Sequence, residues 1–274
     1  MVLFAGNLFH EKRPGLRTLC KTTEIFRRYP ICPKPVQIQI RSENNFAHGD
    51  ANFLDEFPAV NGVGKRHNVS RRHDTCISIS SFVNHWVLNI ICHPPSHKFT
   101  DLPTFAIHGN HDAPTDYGRG LVGPLDYQYA TRLVNYFGWQ KTVDKVEISP
   151  ILLRKGGTQL ALYGMGSLDD GRSNRIMQSN KVKFLILSKG EWFNMLTLHQ
   201  NRESVHENMI PTRMDLIVWG HKHECLIDLT DSPVGAFRIT LPGSSVVMSL
   251  TSTFLSACRI PLSSFFNSSK CSLS

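Results

Sequence analysis

The 274-residue chain has no C-x-x-C pair, and its longest apolar run, FVNHWVLNIIC, falls short of a membrane span. Its seven cysteines (Cys20, Cys32, Cys76, Cys92, Cys225, Cys258 and Cys271) are odd in number and scattered. That spacing argues against a zinc ribbon or a disulfide framework and leaves a reducing, intracellular setting as the simpler expectation. A bilayer needs roughly 20 consecutive apolar residues, and no positively charged segment precedes the first apolar residues, so neither insertion nor secretion is expected. Acidic residues are in short supply: 22 Asp and Glu stand against 30 Lys and Arg, a net charge of +8. The excess favours an anionic partner such as nucleic acid or an acidic surface and is silent on fold.

What is present is a core-forming composition, 41% hydrophobic, in a chain long enough for one large domain or two small ones. The opening VLFA (Val2–Ala5) reads as a short buried strand that breaks at Gly6 into Asn7, with His10 three residues on. Pro14 then begins a segment carrying Leu16, Leu19, Cys20, Thr23 and Phe26 at helical spacing. VQIQI alternates as a strand, TFAIHG gives another ending in a polar loop, and the apolar periodicity over 125–137 predicts a helix stopped by Gly138. Two apolar runs around Gly156-Gly157 predict a hairpin. WFNMLTLHQ and MDLIVWGHKHE repeat one design, a strand that delivers polar residues at its C-terminal end, and after ECLIDL the run FRITLPGSS reads as a last pair of strands. Two stretches resist this reading: 64–98, basic and without a period, and the Ser-, Cys- and Phe-rich tail after Leu250.

Three clusters carry chemistry: HGNHD (108–112), HQNR (199–202) and GHKH (220–223). A single histidine at a strand end is usually an ordinary hydrogen-bonded residue. Three such clusters, each following an apolar strand, would be brought to one edge by a parallel or mixed sheet, where they would offer asparagine, imidazoles and an aspartate to one pocket. Nitrogen and oxygen ligands without thiolate suit manganese, iron or zinc, and two ions about 3.5–4 Å apart can grip a phosphoryl oxygen and activate water. The asparagine offers a neutral oxygen to a cation, and the histidine beside it can hand a proton to a leaving oxygen. In GHKH the i, i+2 histidines are expected to point the same way from an extended strand end.

The segments GNLFHEKRP, IHGNHDAPT, LVNYFG, ISPILLRKGGTQLALYGMGS, WFN, HQNR, DLIVWGHKHEC and LPGSSVVMSL, taken in order, resemble the phosphoesterase domain of the meiotic-recombination nuclease family, the catalytic subunits of the MRN double-strand-break repair complex. The likeness covers most of 2–61 and 103–250. It implies an α/β fold, a calcineurin-like metallophosphoesterase sandwich of two mixed β-sheets flanked by helices. It also implies a manganese-dependent 3′-to-5′ exonuclease and endonuclease of double-strand-break repair, homologous recombination and meiosis, acting in the nucleus. The resemblance makes Asn110, His199 and His221 ligands of one Mn2+ and His223 a ligand of a second, with His111 assisting the leaving group. Asn7 falls where the family places the aspartate that bridges both ions, and His10 is the histidine of the same loop. DNA, a homodimer whose helical interface includes the region matching 125–137, an SMC-like Rad-type ATPase and nibrin are the implied partners.

The sequence departs from the family in ways that set further expectations. An amide supplies one neutral oxygen where a carboxylate supplies two anionic ones, so Asn7 is a poor bridge and impaired catalysis is expected. An ordinary Asx-type turn residue fits the local pattern equally well. The family's upstream Asp-x-His strand has no counterpart before Val2, so residues 1–250 are expected to form a partial nuclease domain lacking its first strand, with 64–98 an irregular insertion and 251–274 an unpatterned tail. The family's capping domain and ATPase-binding region likewise find no match, which favours dimerisation over ATPase assembly. Two other readings remain open: a non-catalytic isoform or paralogue that keeps dimer or DNA contacts, and a different calcineurin-like phosphoesterase, since shared motifs do not fix a substrate.

Overall fold

A computed structural model describes residues 1–28, 38–41, 103–116, 121–140, 146–179, 181–187 and 192–244. The expected insertion at 64–98 and the tail after Leu250 lie outside these residues.

In chain order the elements are β1 (Val2–Ala5), α1 (Leu16–Arg28), β2 (Gln39–Ile40), β3 (Thr104–Ile107), β4 (Thr115–Asp116), β5 (Leu121–Val122), α2 (Pro124–Ala130) and β6 (Asn135–Tyr136). There follow β7 (Val146–Ile148), β8 (Ile151–Lys155), β9 (Thr158–Met165), α3 (Asp170–Gln178), β10 (Val182–Phe184), β11 (Phe193–Leu198), β12 (Leu216–Trp219), β13 (Leu226–Asp231) and β14 (Arg238–Leu241). A short 3-10 turn, Glu207–Met209, lies between β11 and β12.

Two sheets carry the architecture. A seven-stranded sheet runs β13-β14-β12-β11-β9-β8-β2, and a three-stranded sheet runs β1-β3-β6. The centre of the large sheet, β9-β11-β12-β14, is parallel, with β8 and β13 added antiparallel on its flanks. Parallel strands covered on both faces read as unbroken apolar runs, which is how LTL of β11 and LIVW of β12 appear in the sequence. Gly156 and Gly157 form the two-residue turn of the β8–β9 hairpin, Lys155 pairing with Thr158 and Gly156 taking a φ of 57°.

Strand alternation sorts the core into layers. Phe105 and Ile107 of β3 point inward with Phe137 against Leu153, Leu162, Met195 and Leu216 of the large sheet, filling the sandwich. Ala106, one residue out of phase, faces the other way with Tyr136, Leu125 and Phe26, where α1 and α2 cover the small sheet. The far face of the large sheet packs Tyr163, Leu196, Ile217 and Trp219 against Ile176 and Met177 of α3. The result is helix, sheet, sheet, helix, the α/β sandwich that the resemblance implied; the large sheet is mixed, whereas the small one, also expected to be mixed, is parallel in both of its described pairings.

Two expectations change. The helix over 125–137 ends at Ala130; the chain turns through Arg132, at φ 59°, and Asn135–Tyr136 become β6, pairing parallel with β3. Burial of Val134, Tyr136 and Phe137, together with an Asn135 Nδ2–H donated to the Thr104 carbonyl at 3.0 Å, overrides the helical period. Val2–Ala5 is a strand as expected, but only half-buried, because it forms one edge of its sheet among the described residues.

Candidate metal centre

The C-terminal ends of β1, β3, β11 and β12 converge at one edge of the sandwich. The edge is shared by two sheets: β1 and β3 belong to the small one, β11 and β12 to the large one. The gap between them is closed by glycines. A Cβ on Gly6 would run into the His199 ring, and one on Gly220 would overlap the Ala5 carbonyl oxygen and lie 2.8 Å from His199 Nδ1. Gly6 also sits at φ 93° and Asn7 at φ 55°, so two successive left-handed residues swing the chain off β1. Glycine and asparagine are the residue types that take such angles at least cost. His221, at φ 83°, is a third residue in this region and the costliest of the three.

Hydrogen bonds fix the tautomer of His199. His199 is buried, and its Nδ1 lies 2.6 Å from the Ala5 carbonyl oxygen, which can only accept; Nδ1 therefore carries the hydrogen. Burial drives the His199 pKa down to about 4, with the Ala5 bond opposing and His221, His108 and His111 adding to the fall. At neutral pH the ring is uncharged and Nε2 presents a bare lone pair.

That lone pair faces Asn110 Oδ1 at 3.1 Å. The orientation of Asn110 is set by Asn7. The backbone N–H of His111 donates to Asn7 Oδ1 at 3.0 Å, which turns Asn7 Nδ2 toward Asn110 Oδ1 at 3.2 Å. Flipping Asn110 would set two amide NH2 groups against each other. Two acceptors, His199 Nε2 and Asn110 Oδ1, thus stand in contact with no hydrogen between them. A cation touching both turns this repulsion into two bonds, so the donors present fit a divalent ion of the kind that takes imidazole nitrogen and neutral oxygen.

His221 is half-buried, and its ring meets that of His199 edge-on at a centroid distance of 5.3 Å and an interplanar angle of 84°. Its pKa is lowered, first by burial; Asp170 opposes this, while His223, Lys222 and His111 add to it. His111 donates Nδ1–H to the His10 carbonyl at 2.8 Å and stacks on the His10 ring at 5.0 Å, so its Nε2 is the nitrogen left for chemistry. Asn110 is exposed, which leaves this corner open to solvent.

Asn7, Asn110, His111, His199 and His221 are therefore brought together. His223 is exposed, and its backbone carbonyl accepts from the Ser244 N–H at 3.3 Å. The extended i, i+2 arrangement expected for the two histidines does not form, because β12 ends at Trp219 and the left-handed His221 breaks the alternation. Among the described residues no group of three or more His, Cys, Asp or Glu side chains is placed to hold a metal ion. What converges is two imidazoles with a carboxamide.

The aspartate of HGNHD has a different task from the one expected of it. Asp112 is fully buried and turned away from the pocket: its carboxylate accepts from the backbone N–H groups of Gly109 at 2.6 Å and Phe9 at 3.3 Å, and from those of Leu8 and Asn7. Burial raises its pKa and the four donors restrain the rise. One carboxylate thus pins the loop after β1 to the loop after β3. Behind it His108, also buried, accepts from the Tyr136 hydroxyl at 2.8 Å and donates to the Ser167 carbonyl at 3.2 Å; burial lowers its pKa to about 4. These supports, with the Ala5 carbonyl, escape a reading of side-chain type alone, although the glycines at the strand ends are their visible trace.

The calcineurin-like phosphoesterase family profile matches residues 46–225, a span that includes Asn110, His111, His199, His221 and His223 and leaves Asn7 outside. Double-strand break repair protein mus-23 of Neurospora crassa is 36% identical over 258 residues, 91% of this chain and 30% of that protein. Double-strand break repair protein MRE11 of Oryza sativa subsp. indica is 37% identical over 266 residues, 91% of this chain and 32% of its own. The Homo sapiens protein of that name is 36% identical over 258 residues, 91% and 31% respectively. The chain spans about a third of the length of these relatives. With the profile covering well over half its residues, on a sandwich whose strand ends gather imidazoles and a carboxamide, the chain belongs to the calcineurin-like phosphoesterases, a family of metal-dependent phosphoester hydrolases.

Proposed function

We propose that this chain is the catalytic part of a manganese-dependent DNA nuclease of double-strand-break repair, impaired by Asn7. The observation that carries the reading is the contact of His199 Nε2 with Asn110 Oδ1 at 3.1 Å, two acceptors that a shared cation would bind together. That the relatives named above are double-strand break repair proteins supports DNA as the substrate class. The net charge of +8 suits a polyanion.

Asn110, His199 and His221 would hold the ion. When bound, it supplies Lewis acidity at a phosphoryl oxygen and acidifies water. The chain's own residues do the rest. Asn7 and Asp112 keep the two loops in register. His111, anchored through Nδ1 to the His10 carbonyl and stacked on its ring, keeps Nε2 free of that bond, to pass a proton to a departing sugar oxygen when the imidazole is protonated. Both exonuclease and endonuclease action belong to this reading, as do a nuclear location and partners in the form of DNA, a second copy docked through the region of α2, an SMC-like Rad-type ATPase and nibrin.

The test is end-labelled duplex DNA in manganese buffer. Slow, manganese-dependent cleavage that falls to background in His111→Asn and rises at least tenfold in Asn7→Asp is expected. Cleavage indifferent to His111→Asn, or to manganese, would sink the reading. A second reading, a non-catalytic chain that keeps DNA or partner contacts, is favoured by one fact: both polar atoms of the Asn7 amide are already engaged within the protein. It predicts salt-sensitive DNA binding with no cleavage even in Asn7→Asp.

A further inference from the structure

Asn7 does more than fail as a bridge. Its Oδ1 accepts the His111 N–H at 3.0 Å, and its Nδ2 donates to Asn110 Oδ1 at 3.2 Å. The second bond fills one of the two lone pairs of that oxygen and leaves one, aimed at His199 Nε2. The far end of the Asn7 side chain is thus a hydrogen-bond donor, which repels a cation, at the place where a bridging carboxylate would present a second anionic oxygen. His223, the side chain expected to hold a second ion, is exposed, and its backbone carbonyl accepts from the Ser244 N–H. His221, by contrast, stands edge-on beside His199.

We infer that the centre is built for a single divalent ion, at the corner of Asn110, His199 and His221, and that Asn7 is its positioning residue: the carboxamide aims the Asn110 oxygen and ties it to the His111 backbone. Asn7 is accordingly no ligand. This rests on the proposed metal centre and narrows it from two ions to one. The loop geometry agrees with the role. Asn7 sits at φ 55°, an angle asparagine tolerates better than most residues, and the Asp112 carboxylate grips its backbone N–H, so its side chain is presented from a fixed platform.

The experiment is manganese binding to the whole chain, followed by calorimetry and by electron paramagnetic resonance, in the wild type, Asn7→Gly and the double variant Asn110→Ala/His199→Ala. Glycine keeps the left-handed backbone and removes the carboxamide. One ion per chain is expected, with an uncoupled six-line spectrum, an affinity at least tenfold weaker in Asn7→Gly at unchanged stoichiometry, and no binding in the double variant. Two ions per chain, or an exchange-coupled spectrum, would overturn the one-ion centre and leave the proposed nuclease reading standing. Wild-type affinity in Asn7→Gly would overturn the positioning role. No manganese bound by the wild type beyond the double variant would overturn both this inference and the metal centre on which it rests.

Discussion

Single atoms decide this site. Gly220 shows how little room they have: its Cα lies so close to β1 that a methyl group would overlap the Ala5 carbonyl, the acceptor that fixes the His199 tautomer. Gly220→Ala is therefore expected to cost about 1–3 kcal/mol, the usual penalty for overpacking a tight contact. It should also displace His199 and weaken manganese binding. Urea denaturation and a manganese titration on the same variant check this; a variant with wild-type stability and affinity would show that the close approach is not required. At this scale much of the site could be read from the chain. HGNHD, HQNR and GHKH named Asn110, His111, His199 and His221, because residue types that bind cations are recognisable at strand ends. The true task of Asp112 could not be read, since a carboxylate facing a pocket and one facing backbone N–H groups look identical in one dimension.

At the scale of elements, the centre depends on two loops from neighbouring strands being held together. The Asp112 carboxylate, accepting from Gly109, Phe9, Leu8 and Asn7, is the tie between them. Removing it in Asp112→Ala leaves several buried donors without partners, at about 1–3 kcal/mol for each one that water does not reach. A loss of stability of about 3 kcal/mol is expected, with amide exchange at Leu8 and Phe9 faster by two orders of magnitude. Unchanged exchange there would mean that the loop is held by something else. Elements with strong local patterns were legible: the β8–β9 hairpin from Gly156-Gly157, and β11 and β12 from their apolar runs. The helix read over 125–137 was half right. Its first six residues, 125–130, follow Pro124 and the 3.6-residue period, whereas Asn135 and Tyr136 follow long-range pairing with β3 that no local window contains.

At the scale of the whole molecule, two histidines among the described residues, His108 and His199, are buried and neutral, each with a folded pKa of about 4. Unfolded, each takes up a proton near pH 6.5. Below that pH the unfolded chain binds protons that the native chain refuses, so the stability these groups contribute is intact above about pH 6.5 and drains away as pH falls toward 4. Asp112, its pKa raised, works in the opposite sense: the stability it contributes is lost as pH rises through its folded pKa. Two histidines outweigh one carboxyl, and the midpoint of urea unfolding, measured in chelator, should drop between pH 7 and pH 5. A midpoint flat across that interval would contradict the buried neutral rings. Two sheets flanked by helices followed from the family resemblance, whereas the parallel pairing of the small sheet and the meeting of two sheets at the site are properties of the assembled sandwich that separate strands do not announce.

All of this turns on the two lone pairs facing each other at 3.1 Å between His199 and Asn110. The most direct measurement is an anomalous difference map from crystals of the chain soaked in manganese chloride. The expected result is a peak within bonding distance of both His199 Nε2 and Asn110 Oδ1. A map with no peak there, and the two side chains unmoved, would contradict the metal centre.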